Sequence, residues 1–163
     1  MRIVHGAIIE QGEEYYTYLR KIFNAINNEQ MNYNWLITDY ECYPKSTEIR
    51  SLLSEDYCWL TGEQLTRIVE KEDFQWIWAV LSGFPKNIPL SEVLKYPLPY
   101  ADGHRGFWKN PLTIQNPLAS IEIVPWDSSC TLIFSEKKSL IDDFIKGFPL
   151  AQSMTLYNEE IRG

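Results

Sequence analysis

The sequence has few of the residues that catalytic and metal sites most often require. Its 163 residues include two histidines, His5 and His104, and three cysteines that form no C-x-x-C pair. These numbers exclude the usual zinc spacings, in which ligands come in closely spaced pairs. No phosphate loop and no dinucleotide-binding pattern is present either. We therefore expect no metal, no cofactor and no catalytic residue.

Long apolar runs are missing as well. No stretch approaches the roughly 18 apolar residues of a membrane span, and the N-terminal MRIVHGAIIEQGEE turns acidic too early for a signal peptide. Three cysteines without motif spacing suit a reducing compartment. These features predict a cytoplasmic protein that does not bind membranes, and they leave its oligomeric state open.

Basic residues are fewer than acidic ones, 15 against 22, and the net charge is −7. This balance argues against general nucleic-acid binding, because a phosphate backbone would be repelled. Acidic residues outnumber basic ones two to one between Glu41 and Asp73. Such a stretch is either ordinary solvated surface or a docking face for a basic protein partner.

The most regular stretch of the chain is 121–148. Two short apolar runs, 121–124 and 130–134, flank the polar turn W-D-S-S and predict a β-hairpin. Ser135 then precedes residues 136–147, where apolar residues recur at helical spacing and Gly147 and Pro149 provide a stop. A unit of this kind hides its apolar face only against more sheet.

The rest of the chain provides that sheet. Further strands are predicted at 2–10, 33–40, 57–60 and 74–81, and the last, apolar on both faces, is expected at the centre. Helices are predicted at 13–27 and from a capping box at Thr61 to before Asp73. We expect residues 1–163 to form a single α+β domain. A mostly antiparallel sheet of about five or six strands would have two main helices, 13–27 and 136–147, packed on one face.

An irregular excursion at 83–117 holds six of the nine prolines. A loop of this length in a compact domain usually has a function, or indicates that its secondary structure has been predicted wrongly. Within it, His104 and Arg105, which Gly103 and Gly106 flank, form a candidate anion site together with Lys109, and Phe107 and Trp108 would supply an apolar wall. The alternative is a surface loop fixed by its own aromatic residues.

Trp108 and Trp126 lie in loops, where a large ring is harder to bury than on a strand. Loop aromatics beside charged residues are frequent hot spots in protein recognition, so both are candidate partner-binding residues. Packing within the domain is the alternative for each. After Pro149 an apolar cluster, Met154 with Leu156 and Tyr157, precedes the polar NEEIRG, and only this last stretch is expected to be frayed.

Two segments carry a resemblance to known proteins, FQWIWAVLSGFP and TIQNPLASIEIVPWDSSCTLIFSEKKSLIDDFIKGFP. They resemble a family of small proteins from spore-forming Gram-positive bacteria that is catalogued as a domain of unknown function. This resemblance implies no activity, cofactor or site residue. The W-D-S-S turn with its apolar strand and charged helix is also similar to segments of small acidic immunity proteins in bacterial toxin systems.

Three functional hypotheses follow from these features. The first is a cytosolic protein-binding module without catalysis, which binds a basic protein; an immunity-like role is its more specific form. The second is a small enzyme or ligand-binding protein that uses the 100–109 loop, with His104 as acid–base and Arg105 on an anion. The third is a domain that self-associates through the aromatic strand at 74–81.

Overall fold

The structure is a computed structural model that describes residues 2–162. This range contains seven strands: β1 (His5–Ile9), β2 (Tyr33–Cys42), β3 (Tyr57–Thr61), β4 (Trp76–Pro85), β5 (Ile121–Trp126), β6 (Cys130–Ser135) and β7 (Gln152–Ser153). It also contains six helices: α1 (Leu19–Ala25), α2 (Thr47–Leu52), α3 (Gly62–Lys71), α4 (Leu90–Val93), α5 (Lys138–Gly147) and α6 (Met154–Arg162). Single 3₁₀ turns occupy Glu29–Asn32 and Arg105–Trp108.

All seven strands belong to one antiparallel sheet in the order β3-β2-β4-β5-β6-β1-β7. The predicted α+β class is therefore confirmed. The predicted strand number fell short because β7, only two residues long, is too short to show an alternating pattern. The first strand does not lie beside the second, since β1 pairs with β6 and β7 near the other end of the chain.

One face of the sheet carries helices. As predicted, α1 and α5 pack on the same face, where their buried residues join a core shared with β1, β2 and β4. The two helices also approach each other closely, because a Cβ at Gly147 would lie 2.6 Å from the Ala25 Cβ. Helix α3 covers the same face and begins with the predicted capping box between Thr61 and Gln64.

The other face of the sheet is covered by irregular chain. We call residues 86–120, which connect β4 to β5, the covering segment. Its buried residues form a second core with the outward side chains of the central strands, joined by Met154 of α6. The covering segment contains α4 and the 3₁₀ turn at Arg105–Trp108, so the irregular excursion predicted from the prolines is confirmed for most of its length.

Strand β4 is central, as predicted, with β2 on one side and β5 on the other. The sequence alternation predicts Phe74, Trp76, Trp78 and Val80 on one face, which is wrong at Phe74 and Trp76. Trp76 lies on the helical face, whereas Trp78 and Val80 face the covering segment. The alternation slips because the pairing with β2 shifts register between Thr38 and Cys42. Since β4 is inside the sheet, its backbone offers no free edge to a strand of a second copy. Self-association through the side chains of this strand stays a prediction.

The first helix is shorter than predicted. It begins at Leu19 rather than near residue 13, because the preceding residues form an irregular strap of bends that other elements hold. The Tyr16 carbonyl accepts a hydrogen bond from Thr131 Oγ1 at 2.6 Å, and the Thr17 carbonyl accepts one from the Trp76 backbone N–H at 3.3 Å. Carbonyls committed to tertiary partners cannot accept the bonds of a first helical turn.

Two corrections concern the C-terminal part of the chain. The predicted helix at 136–147 starts at Lys138, and the Ser135 hydroxyl accepts from the Lys137 amide at 3.0 Å just before it. The expected fraying is wrong for residues 158–162, which belong to α6. Met154 and Asn158 of this helix are fully buried, which is why the tail is ordered against the domain.

Candidate functional site

The covering segment is fixed to the sheet by a buried aromatic residue. Phe107, in the 3₁₀ turn, is 1% exposed and stacks on Phe134 of β6 with ring centroids 5.8 Å apart. Asn158 of α6 donates a hydrogen bond from Nδ2 to the Phe107 carbonyl at 3.1 Å. The turn is therefore held between the sheet and α6, and its neighbouring residues project from a rigid support.

The structure brings together the two tryptophans that the sequence singled out. The rings of Trp108 and Trp126 meet edge to face, with centroids 5.5 Å apart. Trp126 also contacts Trp78 at 5.1 Å, and Trp108 contacts Tyr157 of α6 at 6.1 Å. We call these four residues the aromatic cluster. Each ring is half-buried, so the cluster both packs on the domain and faces solvent.

The local backbone explains how Trp126 reaches this position. Asp127 and Ser128 form the tip of the β5–β6 hairpin with φ values of 51° and 57°, as a type I′ turn requires. The Ser128 N–H donates to the Ile77 carbonyl at 3.0 Å, which holds the hairpin tip against β4. Pro125, which has no N–H, coincides with the end of the regular pairing between β5 and β4.

The polar residues of the predicted anion site do not converge in the same way. Arg105 and Lys109 are exposed, and in the described part of the chain neither forms an ion pair. His104 is half-buried, with its ring edge-on to Phe107 at 4.5 Å and to Tyr100 at 5.2 Å. Burial, and to a lesser degree the Lys109 charge, lower the pKa of His104. A neutral, aromatic-packed imidazole contributes little to holding an anion.

A line of exposed apolar residues lies next to this turn. Leu94, Tyr96, Leu98 and Tyr100 have exposed fractions of 38%, 39%, 40% and 48%. Both ends of the line are anchored, because Val93 is 1% exposed and Ala101 is fully buried. The Ala101 N–H donates to Asp39 Oδ2 at 2.7 Å, so the Asp39 carboxylate helps to fix the backbone at this end of the line. The line thus extends the apolar surface of the covering segment.

Sequence reasoning missed one buried acid. Glu122, in the middle of β5, is fully buried, and its Oε2 accepts a hydrogen bond from the Gln115 N–H at 3.0 Å. Burial raises the pKa of Glu122 to about 8. Ser82 lies directly opposite it on β4 and is also fully buried. A single acid inside the apolar run I-E-I-V was the available signal, because a solvated acid is not expected on a doubly covered strand.

The cysteines and acids form no recognisable reactive group. Burial raises the pKa of Cys42, Cys58 and Cys130 to about 12, 11 and 12, so their thiolates are scarce at neutral pH. Within residues 2–162, no three His, Cys, Asp or Glu side chains group closely enough to hold a metal ion. Every helix in the same range is too short or too polar to cross a bilayer.

Residues 4–97 match the family described as "Protein of unknown function (DUF2691)". The chain belongs to the DUF2691 family. No curated protein and no solved structure matches it. The part that matches the DUF2691 model runs from β1 to the residues after α4, so it ends inside the covering segment. The aromatic cluster, apart from Trp78, lies beyond it.

The matched part of this DUF2691 protein does not make a continuous sheet in the structure. β5 and β6 lie between β4 and β1, and both follow residue 97. Without them, β1 has no neighbour among the strands of the matched part. The folded unit of this DUF2691 protein therefore includes the hairpin of β5 and β6.

Proposed function

We propose that the chain is a non-catalytic protein-binding module that docks a basic protein through the aromatic cluster and the adjoining covering segment. The observation that carries the proposal is the convergence of three tryptophans from different elements, Trp78, Trp108 and Trp126, in half-buried positions. Rigid aromatic rings that are packed on one side and open on the other are typical of binding hot spots.

Two further features support this function. The line of exposed residues from Leu94 to Tyr100 adds apolar surface, and exposed apolar patches commonly mark interaction sites. The net charge of −7 would steer a basic partner toward the protein and speed association at low salt. An immunity-like role, in which the partner is a toxin, is the more specific form of the same proposal.

The proposed setting follows from the same features. Three free cysteines suit a reducing cytoplasm, and the resemblance to proteins of spore-forming Gram-positive bacteria suggests such a host. The ligand-binding alternative at 100–109 stays a prediction without support from a convergent pocket. A phosphate titration that shifts the His104 and Arg105 NMR signals together would favour it.

Tryptophan truncation tests the proposed function. The tagged protein is used to capture partners from its native cytosol at rising salt, and the captured protein is then purified for affinity measurements. Trp108→Ala and Trp126→Ala are expected to weaken binding by about thirtyfold or more, the loss typical of a hot spot of 2 kcal/mol. Tyr43→Ala, at an aromatic residue that is 76% exposed elsewhere, is the matched control and should bind normally.

Because the tryptophans pack on each other, a charge variant that disturbs no buried contact is needed as well. Lys109→Glu replaces a positive charge by a negative one on an exposed side chain beside Trp108, so it should strengthen the binding of a basic partner without changing the circular dichroism spectrum. Normal affinity in both tryptophan variants and in Lys109→Glu would show that the partner does not use this face.

A further inference from the structure

Glu122 of β5 binds the covering segment through a hydrogen bond to Gln115. Its position offers a charged carboxylate few hydrogen-bond donors and no solvent. Its Oε2 accepts one hydrogen bond, from the Gln115 N–H, and its Oε1 has no partner among the described residues. The side chain is fully buried. A buried carboxylate with one hydrogen bond is disfavoured relative to the neutral acid, which costs far less to desolvate.

The neutral acid suits the surroundings better. With a proton on Oε1, Glu122 becomes a hydrogen-bond donor on the side that lacks a partner. Ser82 is its direct cross-strand neighbour on the same face, and the Ser82 hydroxyl is also buried without a partner. Directly opposite side chains lie close enough to interact, either directly or through one water. The Ser82 hydroxyl can donate to the carboxylate as well as accept from the acid, so the preference for the neutral form comes from burial and from the single hydrogen bond to Oε2.

Charged groups around Glu122 do not reverse this preference. Its other cross-strand neighbour is the apolar Phe134, and the charge that acts on it from the surrounding elements is that of Arg2. The Arg2 guanidinium is already engaged, because it donates to the carbonyls of Pro117 and Ala119 and to the Glu136 carboxylate. Its effect on the pKa of Glu122 is smaller than that of burial.

A continuous set of contacts leads from Glu122 to the aromatic cluster. Gln115, whose N–H binds Glu122, holds Tyr100 twice with its side chain: its Oε1 accepts from the Tyr100 N–H at 3.1 Å, and its Nε2 donates to the Tyr100 carbonyl at 2.8 Å. The Tyr100 ring contacts His104, and His104 contacts Phe107, next to Trp108. Release of Gln115 would loosen this set of contacts.

We propose that neutral Glu122 is a latch that holds the covering segment on the sheet, and that loss of its proton lets this segment open. The biological meaning of the latch, a binding face that weakens as pH rises, rests on the proposed function. The latch itself is testable without any partner, so its failure and the failure of the proposed function can be told apart.

The direction of the pH dependence follows from linkage. In the closed state burial raises the pKa of Glu122 to about 8, whereas an open segment exposes it to water, where a glutamate ionises near its ordinary pKa of about 4.3. Opening is therefore least favourable at low pH. The opening constant should rise by up to about tenfold per pH unit between these two pKa values and level off above the higher one.

Hydrogen exchange of the intact protein between pH 5.5 and 8.5 tests the latch. After correction for the intrinsic exchange rate, protection of the Gln115 amide and its neighbours should fall by up to about tenfold per pH unit to pH 8. Carbon NMR of the Glu122 carboxyl should show the neutral acid until near pH 8. In Glu122→Gln, a near-isosteric neutral side chain, protection should no longer depend on pH.

Three results would overturn the proposal. One is a Glu122 carboxyl that titrates between pH 4 and 5 in the native protein. Another is protection at Gln115 that does not change with pH, or that changes equally in Glu122→Gln. The third is protection at Gln115 equal to that of Ile37 in the centre of the sheet, since the covering segment would then open only when the whole domain unfolds. The wild-type profile alone decides the question if the variant folds poorly.

Discussion

Replacement of Asn158 by alanine probes how firmly α6 holds the turn that carries Trp108. The Asn158 side chain is fully buried and donates from Nδ2 to the Phe107 carbonyl at 3.1 Å and to Asn110 Oδ1 at 3.4 Å. Its own Oδ1 has no partner among the described residues. The truncation therefore removes two hydrogen bonds, leaves one carbonyl without a donor and removes one unsatisfied acceptor.

These effects set the magnitude of the expected loss. Each lost hydrogen bond contributes about 1 kcal/mol net, and a buried carbonyl left unpaired costs about 1–3 kcal/mol. Removal of the unsatisfied Oδ1 offsets part of this loss of stability, whereas the small cavity that the shorter side chain leaves adds to it. We expect Asn158→Ala to lower the free energy of unfolding by about 2–3 kcal/mol, a large part of a typical domain stability of about 5–15 kcal/mol.

Urea denaturation followed by circular dichroism and by tryptophan fluorescence measures this loss. The midpoint should fall with little change in the m-value, because the native fold is retained. Glu159→Ala, at an exposed neighbour in the same helix, is the matched control and should stay within about 0.5 kcal/mol of wild type. A loss in Asn158→Ala no larger than in this control would refute the reasoning that α6 fixes the turn.

Two further predictions concern buried groups outside the aromatic cluster. Trp35→Phe should lower the free energy of unfolding by about 2–4 kcal/mol. It removes the Nε1–H hydrogen bond of 2.9 Å to the Gln30 carbonyl and leaves a gap in the core. A loss below about 1 kcal/mol in urea denaturation would contradict this prediction. Native Cys42 and Cys58 should react with iodoacetamide at rates that still rise above pH 10, because burial raises their thiol pKa to about 12 and 11, whereas the urea-unfolded chain should reach its plateau near pH 9; equal profiles would contradict the burial argument.

The features predicted correctly are those that local chemistry decides. The capping box at Thr61 is confirmed because its hydrogen bonds lie within four residues of chain. The β5–β6 hairpin is confirmed for the same reason, with its turn at Asp127 and Ser128. The central position of β4 followed from apolar residues on both of its faces, a pattern that only a doubly covered strand explains.

The features that were missed depend on distant contacts. Helix α6 buries Met154 and Asn158 and places Tyr157 against Trp108, and its order depends on these contacts. The strap before α1 is not helical because Thr131 and Trp76, far away in sequence, bind its carbonyls. Contacts between residues far apart in the sequence leave no periodic pattern, so prediction from local patterns does not find them.

The candidate site was predicted in part. The structure brings Trp108 and Trp126 into contact, although they come from separate loops, and leaves Arg105 and Lys109 exposed beside them. Glu122 was not considered because a single acid within a strand carries no motif. Its role depends on the Gln115 amide and on the face that the covering segment closes, and both are known only from the fold.

The position of β1 in the sheet has a consequence for synthesis on the ribosome. Of the seven strands, β1 leaves the exit tunnel first, yet the strands that pair with it, β6 and β7, are the last two to emerge. Strand β2 can pair with β3 and β4 soon after it appears, because these are the next two strands in the chain. Until β6 is made, Ala7, Ile8 and Ile9 remain unpaired apolar residues of the growing chain, where chaperones bind and premature aggregation starts. The first strand to be made is thus one of the last to fold.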